Sequence, residues 1–172
     1  MREDMIVTIA PNGYLQIDNA RIKHRNFEGR ATKFSREGER SFSLIIPDEE
    51  IKELLVNDVN KYGVGWNVKI KPPYEEGDEP QMHLPVKVKF NNRGPHVYLI
   101  TNGRRNKLDE ESIGCLDSCD ISHIDMDIRP YDDEFNGRPF RTAYLHAIEV
   151  TQEVNRFEAR YAEEEFPGED VF

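Results

Sequence analysis

Basic and aromatic side chains are interleaved between residues 25 and 42, where the chain reads RNFEGRATKFSREGERSF. Single-stranded DNA exposes phosphates, which Arg and Lys neutralise, and base faces, on which rings stack for about 1–3 kcal/mol per base. Phe27 and Phe34 lie among cations and are the predicted stacking rings, whereas Phe42 lies in an apolar run and is predicted to be core. A hairpin with inward rings and solvated cations would give the same pattern. The predicted contacts here are Arg25, Phe27, Arg30, Lys33, Phe34, Arg36 and Arg40.

Further along the chain, two lysine pairs have the period-two spacing that places side chains on one face of a strand. These are Lys69 with Lys71, and Lys87 with Lys89. Arg104, Arg105 and Lys107 follow on a predicted loop, and a barrel could gather all seven cations into one DNA-binding groove. An ordinary solvated strand face explains the lysine pairs equally well. Trp66 is predicted to be core.

Paired carboxylates raise an enzymatic alternative. Asp125 and Asp127 would share a strand face and could hold Mg²⁺ for phosphodiester cleavage. An Asp-x-Asp pair on a strand is more often simply solvated, and the five histidines show no ligand spacing. The main prediction is therefore a binding protein without catalysis, metal or cofactor, and the alternative is a metal-dependent nuclease.

The net charge of the whole chain does not reveal these basic stretches. The 172 residues carry a formal net charge of −10, which on its own argues against a polyanionic ligand. The charges are segregated, however: residues 21–41 have seven bases and three acids, residues 61–107 have nine and four, and residues 108–135 have one and ten. A basic stretch attracts a polyanion locally, because screening limits electrostatic reach to roughly 10 Å.

No secretory signal or membrane-spanning run is apparent, so the predicted location is the cytoplasm, without membrane contact. Cys115 and Cys119 are expected to be reduced. The pattern of alternation predicts a mainly β protein, an OB-fold-like antiparallel barrel with one or two short helices. A helix is predicted over 48–62, begun by Asp48, and a shorter one over 110–117. The predicted strands are 14–23, 41–46, 66–71, 84–90, 96–101, 121–130 and 140–154, with a hairpin joining the fourth to the fifth and an Asn136-Gly137 turn.

The end of the chain has a different composition. We expect one domain over 1–161 and a disordered acidic tail over 162–172, which has five acids and no base. Its terminal Phe172, beside Glu169 and Asp170, would give a docking tail a hydrophobic anchor and a carboxylate. A random acidic end is the alternative.

Several of these stretches together resemble the single-stranded DNA-binding proteins encoded by bacteriophages. The matching residues are Phe27 to Gly29, Phe34 to Phe42, Gly65 to Lys69, Leu108 to Ser112, Asp127 to Tyr131 and the tail. The resemblance implies an OB-fold that binds single-stranded DNA in replication or recombination. It also implies a tail that competes with DNA and recruits replication partners, such as a polymerase or a helicase or primase, through Glu169, Asp170 and Phe172. Homo-oligomers are possible in such a protein. Val171, between the acids and the terminal Phe, departs from the usual tail, and a phage adaptor that binds only protein remains a further alternative.

Overall fold

The computed structural model describes residues 4–33, 35–73, 75–78, 80–91 and 94–154. The described part of the chain contains ten strands, one α-helix (α1) and one 3-10 helix, so the prediction of a mainly β fold with one or two short helices is confirmed. The strands are β1 Ile6–Ile9, β2 Leu15–Asp18, β3 Ile22–Asn26, β4 Arg40–Ile46, β5 Lys69–Lys71, β6 Gln81–Val88, β7 His96–Thr101, β8 Arg104–Leu108, β9 Ile121–Phe135 and β10 Arg138–Gln152. The helix α1 is Glu49–Asn57, and the 3-10 helix is Ile113–Asp117.

All ten strands belong to one sheet, whose main order is β1-β2-β9-β10-β6-β4-β3. The two end strands, β1 and β3, do not pair with each other within the described residues, so hydrogen bonds do not close the sheet into a ring. The tail predicted for 162–172, and the domain boundary at 161, lie outside the described residues. No helix in the described part of the chain is long and apolar enough to cross a membrane.

The long β9–β10 hairpin forms the centre of the sheet. Its two-residue turn is Asn136-Gly137, with φ of 51° and 78°, which confirms the predicted hairpin signal. The register between the strands shifts at His146, which is an extra residue between Leu145 and Ala147. Such a bulge reverses which alternate residues of a strand face the core. Ala143 and Leu145 are accordingly buried before the bulge, whereas Ile148 and Val150 are buried after it.

The strands β6 and β7 do not form the predicted hairpin. Both run parallel to β10 and pair with its same edge in succession, β6 at Ala143–Tyr144 and β7 at Ala147–Thr151. The two strands therefore follow one line beside β10, interrupted at residues 89–95. The hairpin forms instead between β7 and β8, around Asn102-Gly103 with φ of 52° and 79°. The stretch predicted as a basic loop is thus the strand β8.

The core lies on one face of this sheet, under α1 and the 3-10 helix. Phe42 and Trp66 are 2% and 3% exposed, which confirms their predicted place in the core. Asp48 caps α1 as predicted, since its side chain accepts a hydrogen bond from Ile51 N at 2.9 Å. The helix ends five residues earlier than predicted, because the Asn60 side chain accepts bonds from two following backbone N–H groups and fixes a turn there. Gly65 packs against α1 so closely that a Cβ would collide with a helix carbonyl.

Candidate nucleic-acid interface

Four residues form a row across the face of the sheet that points away from the core. Arg129 of β9 is opposite Tyr144 of β10, Tyr144 is opposite Lys87 of β6, and Lys87 is opposite Ser41 of β4. Directly opposed side chains on one face lie roughly 5 Å apart at Cβ. The Arg129 guanidinium lies over the Tyr144 ring, 4.9 Å from its centroid. We call this set the Tyr144 row; it places a ring between two cations.

Two further rings extend the Tyr144 row. Tyr131 lies edge-on to Tyr144, with ring centroids 6.0 Å apart, and 6.4 Å from Phe140. Tyr131 is 43% exposed, and its hydroxyl donates to Asp133 at 3.0 Å. Both the hydrogen bond and the negative charge of Asp133 raise the pKa of the Tyr131 hydroxyl. The three rings form a cluster on the sheet surface with the geometry for stacking on nucleic-acid bases.

Sequence reasoning did not find this ring cluster. Phe140, Thr142 and Tyr144 alternate with the buried Ala143 and Leu145, so they read as parts of one apolar strand. The available signal was the period of two, which places the rings on the face opposite Leu145. The sequence does not show which face is covered, because β6 pairs with β10 from a distant part of the chain.

The cations of the Tyr144 row lack ion-pair partners among the described residues. Neither Lys87 nor Arg129 makes an ion pair with any residue that the structure describes. Lys89 is exposed just beyond the end of β6. The loop between β3 and β4 lies at the same end of the sheet as Lys89. Arg40, where β4 begins, is opposite Val88, where β6 ends. Lys33 and Arg36 are exposed on this loop, and Arg30 is also exposed there, weakly paired with Glu28 at 3.8 Å.

Three predicted contacts of the 25–42 segment are instead structural. Phe27 is fully buried, and its ring stacks on Phe42 at 5.3 Å, so the prediction that it stacks on a base is wrong. Arg25 donates to two carbonyls at the end of the 3-10 helix, Leu116 O at 2.9 Å and Cys119 O at 2.8 Å. These bonds occupy its guanidinium and attach that helix to β3.

Arg40 is the third of these residues. Its side chain is 15% exposed and pairs with Glu110 at 3.3 Å, while its guanidinium lies 5.6 Å from the Phe90 ring. The cation is thus neutralised within the protein. Phe34 lies outside the described residues, so its predicted role stays a prediction.

The cations of β8 do not join the groove that was predicted. Arg105 lies over the Tyr98 ring at 3.7 Å and pairs with Glu149 at 3.3 Å. On successive strands, Lys107 is opposite Tyr98, Tyr98 is opposite Glu149, and Glu149 is opposite Asp125. We call these four opposed residues the Glu149 row. Arg105 and Lys107 therefore share a surface with two carboxylates, beyond the His146 bulge from Lys87. Arg104, opposite Thr101, lies on the other face of β8.

Asp125 and Asp127 lie on the same outer face, as predicted, but their surroundings are those of structural carboxylates. Asp125 accepts bonds from Asn19 N at 3.0 Å and interacts with His123 Nε2 at 2.9 Å. Burial and the nearby Asp18 raise the pKa of Asp127, and His146 opposes this effect. The described residues contain no group of three or more His, Cys, Asp or Glu side chains arranged for a metal ion. Both cysteines are free, and burial raises the pKa of each thiol.

Rings and unpaired cations on the outer face of a mainly β sheet are the features of a protein that binds single-stranded nucleic acid. The sequence from residue 6 to residue 172 matches the model of a family described as "Putative phage ssDNA-binding domain". The chain belongs to this family of phage single-stranded DNA-binding domains. Among curated proteins, none matches the sequence.

Solved structures of a phage protein show the same fold. The single-stranded DNA-binding protein of bacteriophage Enc34, in a C-terminally truncated form, aligns with a TM-score of 0.56 at 13% identity, over 90% of this chain and 98% of that one. The same phage protein in complex with single-stranded DNA aligns with a TM-score of 0.50 at 17% identity, over 91% and 96% of the two chains. This likeness establishes the OB-like fold that the sequence predicts.

Proposed function

We propose that this protein binds single-stranded DNA with little sequence preference and without catalysis, in the host cell during phage DNA replication or recombination. The observation that carries the proposal is the Tyr144 row, a ring held between the cations Arg129 and Lys87 on an exposed sheet face. Family membership and the DNA complex of the Enc34 protein support it.

The geometry fits a strand of DNA that lies along the outer face of β6. Bases would stack on Tyr144, Tyr131 and Phe140, and phosphates would meet Lys87, Lys89 and Arg129, with Arg30, Lys33 and Arg36 alongside on the neighbouring loop. Stacking tolerates any base, because every base has a π face. A duplex hides those faces within its stack, so the ring cluster would favour single strands.

The test compares oligo-dT with duplex DNA at two salt concentrations. We expect tighter binding of oligo-dT, and an affinity that falls steeply with salt as condensed counterions are released. Equal or tighter duplex binding would reject the proposal. Absence of DNA binding at low salt would favour the protein-only adaptor. Cleavage of the oligonucleotide with Mg²⁺, abolished in Asp125→Ala, would favour the nuclease.

A second part of the proposal concerns the acidic tail, which lies outside the described residues. Five acids tethered near a basic face would compete with DNA at an effective concentration in the mM range. Glu169, Asp170 and Phe172 would recruit a replication partner such as a polymerase, helicase or primase. Deleting residues 162–172 should strengthen DNA binding, most at low salt, whereas deleting Phe172 alone should abolish partner capture and leave DNA affinity unchanged. An unchanged affinity after the full deletion would exclude competition.

A further inference from the structure

A second cationic cluster lies on the same outer face as the Tyr144 row, near the start of β6. Lys69 of β5 is directly opposite His83 of β6, and His83 is opposite Ile45 of β4. Two residues along β4, Ser43 is opposite Lys23 of β3. The ring of His24 lies 6.1 Å from that of His83, and its Nδ1 is 3.3 Å from the Ser43 hydroxyl. Four side chains that are, or can become, positive thus converge from three strands.

A backbone irregularity places His24 in this cluster. In a regular strand, neighbouring side chains such as Lys23 and His24 would point to opposite faces. The pairing of β3 with β4 shifts register just after Lys23, and His24 has a φ of +54°, in the left-handed region. Bulges of this kind re-aim a side chain, and left-handed backbone is uncommon for a residue other than glycine. This uncommon backbone conformation of His24 places a second imidazole beside that of His83.

We propose that Lys23, His24, Lys69 and His83 form a phosphate-binding subsite for the DNA backbone. The proposal rests on the proposed function and extends it to a second contact point on the same strand of DNA. His83 and Lys87 are four residues apart on β6, and at about 3.3 Å per residue they are separated by roughly 13 Å. A strand of DNA that stacks on the Tyr144 row and follows β6 would reach this subsite.

The surroundings of the subsite favour an anionic ligand. Burial lowers the pKa of His83, and the positive charges of Lys23, His24 and Lys69 lower it further. The carboxylates that line a cavity of about 600 Å³ together with Lys23 are Asp48 and Glu49. Both have other roles, since Asp48 caps α1 and Glu49 pairs with Lys52 at 3.0 Å. A phosphate at the subsite would add negative charge beside His83 and favour protonated imidazole.

This arrangement has a consequence for pH dependence. The pKa of His83 is below its usual value of about 6.5 in the free protein, so the imidazole is neutral at pH 8. A bound phosphate raises the pKa of His83, so DNA binding takes up a proton as the pH falls through the range between the bound and the free pKa values. Affinity for oligo-dT should therefore increase about tenfold between pH 8 and pH 5.5, the scale of one added charge-assisted hydrogen bond.

The experiment measures oligo-dT affinity from pH 8 to 5.5 for the wild type, His83→Gln and a control, His123→Gln. His123 lies on the same sheet face but bonds to Asp125 at 2.9 Å, and it is not among the groups that lower the pKa of His83. We expect His83→Gln to match the wild type at pH 8 and to lose most of the gain at pH 5.5, while His123→Gln follows the wild type throughout. Thermal unfolding of each variant at both pH values confirms that the comparison is between folded proteins.

A second measurement does not depend on DNA. Imidazole signals of the full chain are followed by NMR over the same pH range, with and without inorganic phosphate. We expect phosphate to raise the pKa of His83 and to leave the imidazole signals of His123 unchanged. A His83→Gln pH profile that overlays the wild type, or a His83 signal that phosphate does not move, overturns the subsite. If phosphate raises the pKa of His83 but oligo-dT does not bind at any pH, the subsite stands and the proposed function is wrong.

Discussion

The β9–β10 hairpin presents two different surfaces on one face of the sheet, one on each side of the His146 bulge. On one side lies the Tyr144 row, Arg129–Tyr144–Lys87–Ser41, which β6 and β4 complete. On the other side lies the Glu149 row, Asp125–Glu149–Tyr98–Lys107, which β7 and β8 complete. Each row spans four strands and contains one tyrosine and at least one cation.

The difference between the rows is where their charges are balanced. Each row has an arginine over its tyrosine ring, but Arg105, next to the Glu149 row, also pairs with Glu149, so its charge is balanced within the protein. In the Tyr144 row, Lys87 and Arg129 make no ion pair among the described residues. The same residue types therefore form a closed structural surface on one side and a surface that lacks counter-charge on the other. Composition alone does not distinguish a binding surface from a structural one.

The largest expected effect on DNA binding comes from removing the central ring. Tyr144→Ala should weaken oligo-dT binding by roughly 5- to 150-fold, because it deletes one stacking platform worth about 1–3 kcal/mol. Fluorescence anisotropy with labelled oligo-dT measures this change. The matched control is Tyr98→Ala, which removes the ring of the Glu149 row and should leave affinity within twofold. Equal losses in the two variants would remove the distinction between the rows.

The local features of this fold could be predicted from the sequence because short-range chemistry determines them. The Asn136-Gly137 turn needs left-handed backbone at both residues, and those two residue types supply it. Asp48 caps α1 through a bond to a backbone N–H three residues away. The alternation in 41–46 identified Phe42 as core.

The features that could not be predicted from the sequence depend on long-range contacts. Phe27 lies among cations in the sequence, yet its ring is buried against Phe42, and its backbone N–H donates to Asp117, 90 residues away, at 2.7 Å. Arg105 and Lys87 were both predicted to join one basic groove, and the parallel pairing of β6 and β7 with β10 separates them. Parallel pairing has no local turn signal, so the division of the sheet face into two rows could not be predicted.

A smaller effect is expected from the charges of the two rows. Lys87→Gln should weaken oligo-dT binding several-fold and reduce the slope of log affinity against log salt by about 0.7, the value for one phosphate contact in a single strand. The matched variant Lys107→Gln should change neither quantity, because Lys107 lies beyond the His146 bulge, in the row that contains Glu149 and Asp125. Salt titrations of both variants measure the slope. A reduced slope in Lys107→Gln would show that DNA also crosses the Glu149 row.

Two aspartates of β9 should respond oppositely to loss of charge, and the larger response belongs to Asp132. Burial favours a raised pKa for Asp132, but hydrogen bonds from Arg141 and Asn60 outweigh it and hold the pKa below its usual value. The ionised form therefore stabilises the fold at neutral pH, and this stability is lost as the pH falls through the lowered pKa. Asp132→Asn should cost about 1.5–3 kcal/mol at pH 7, or roughly 3–12 °C in melting temperature. An unchanged melting temperature would show that the 2.7 Å contact with Arg141 contributes little.

The smallest expected effect has the opposite sign and concerns Asp127, beyond Arg129 on the acidic side of the hairpin. Burial and Asp18 raise the pKa of Asp127, so the folded state prefers its protonated form. Stability associated with this group is present below its usual pKa of about 3.8 and is lost as the pH rises through the raised value. Asp127→Asn removes the unfavourable charge and should raise the melting temperature at pH 7 by up to about 3 °C, with no gain at pH 3. Differential scanning fluorimetry at both pH values, with Asp132→Asn alongside, gives the comparison. A lowered melting temperature at pH 7 would mean that ionised Asp127 has a favourable partner and that the acidic side is not electrostatically strained.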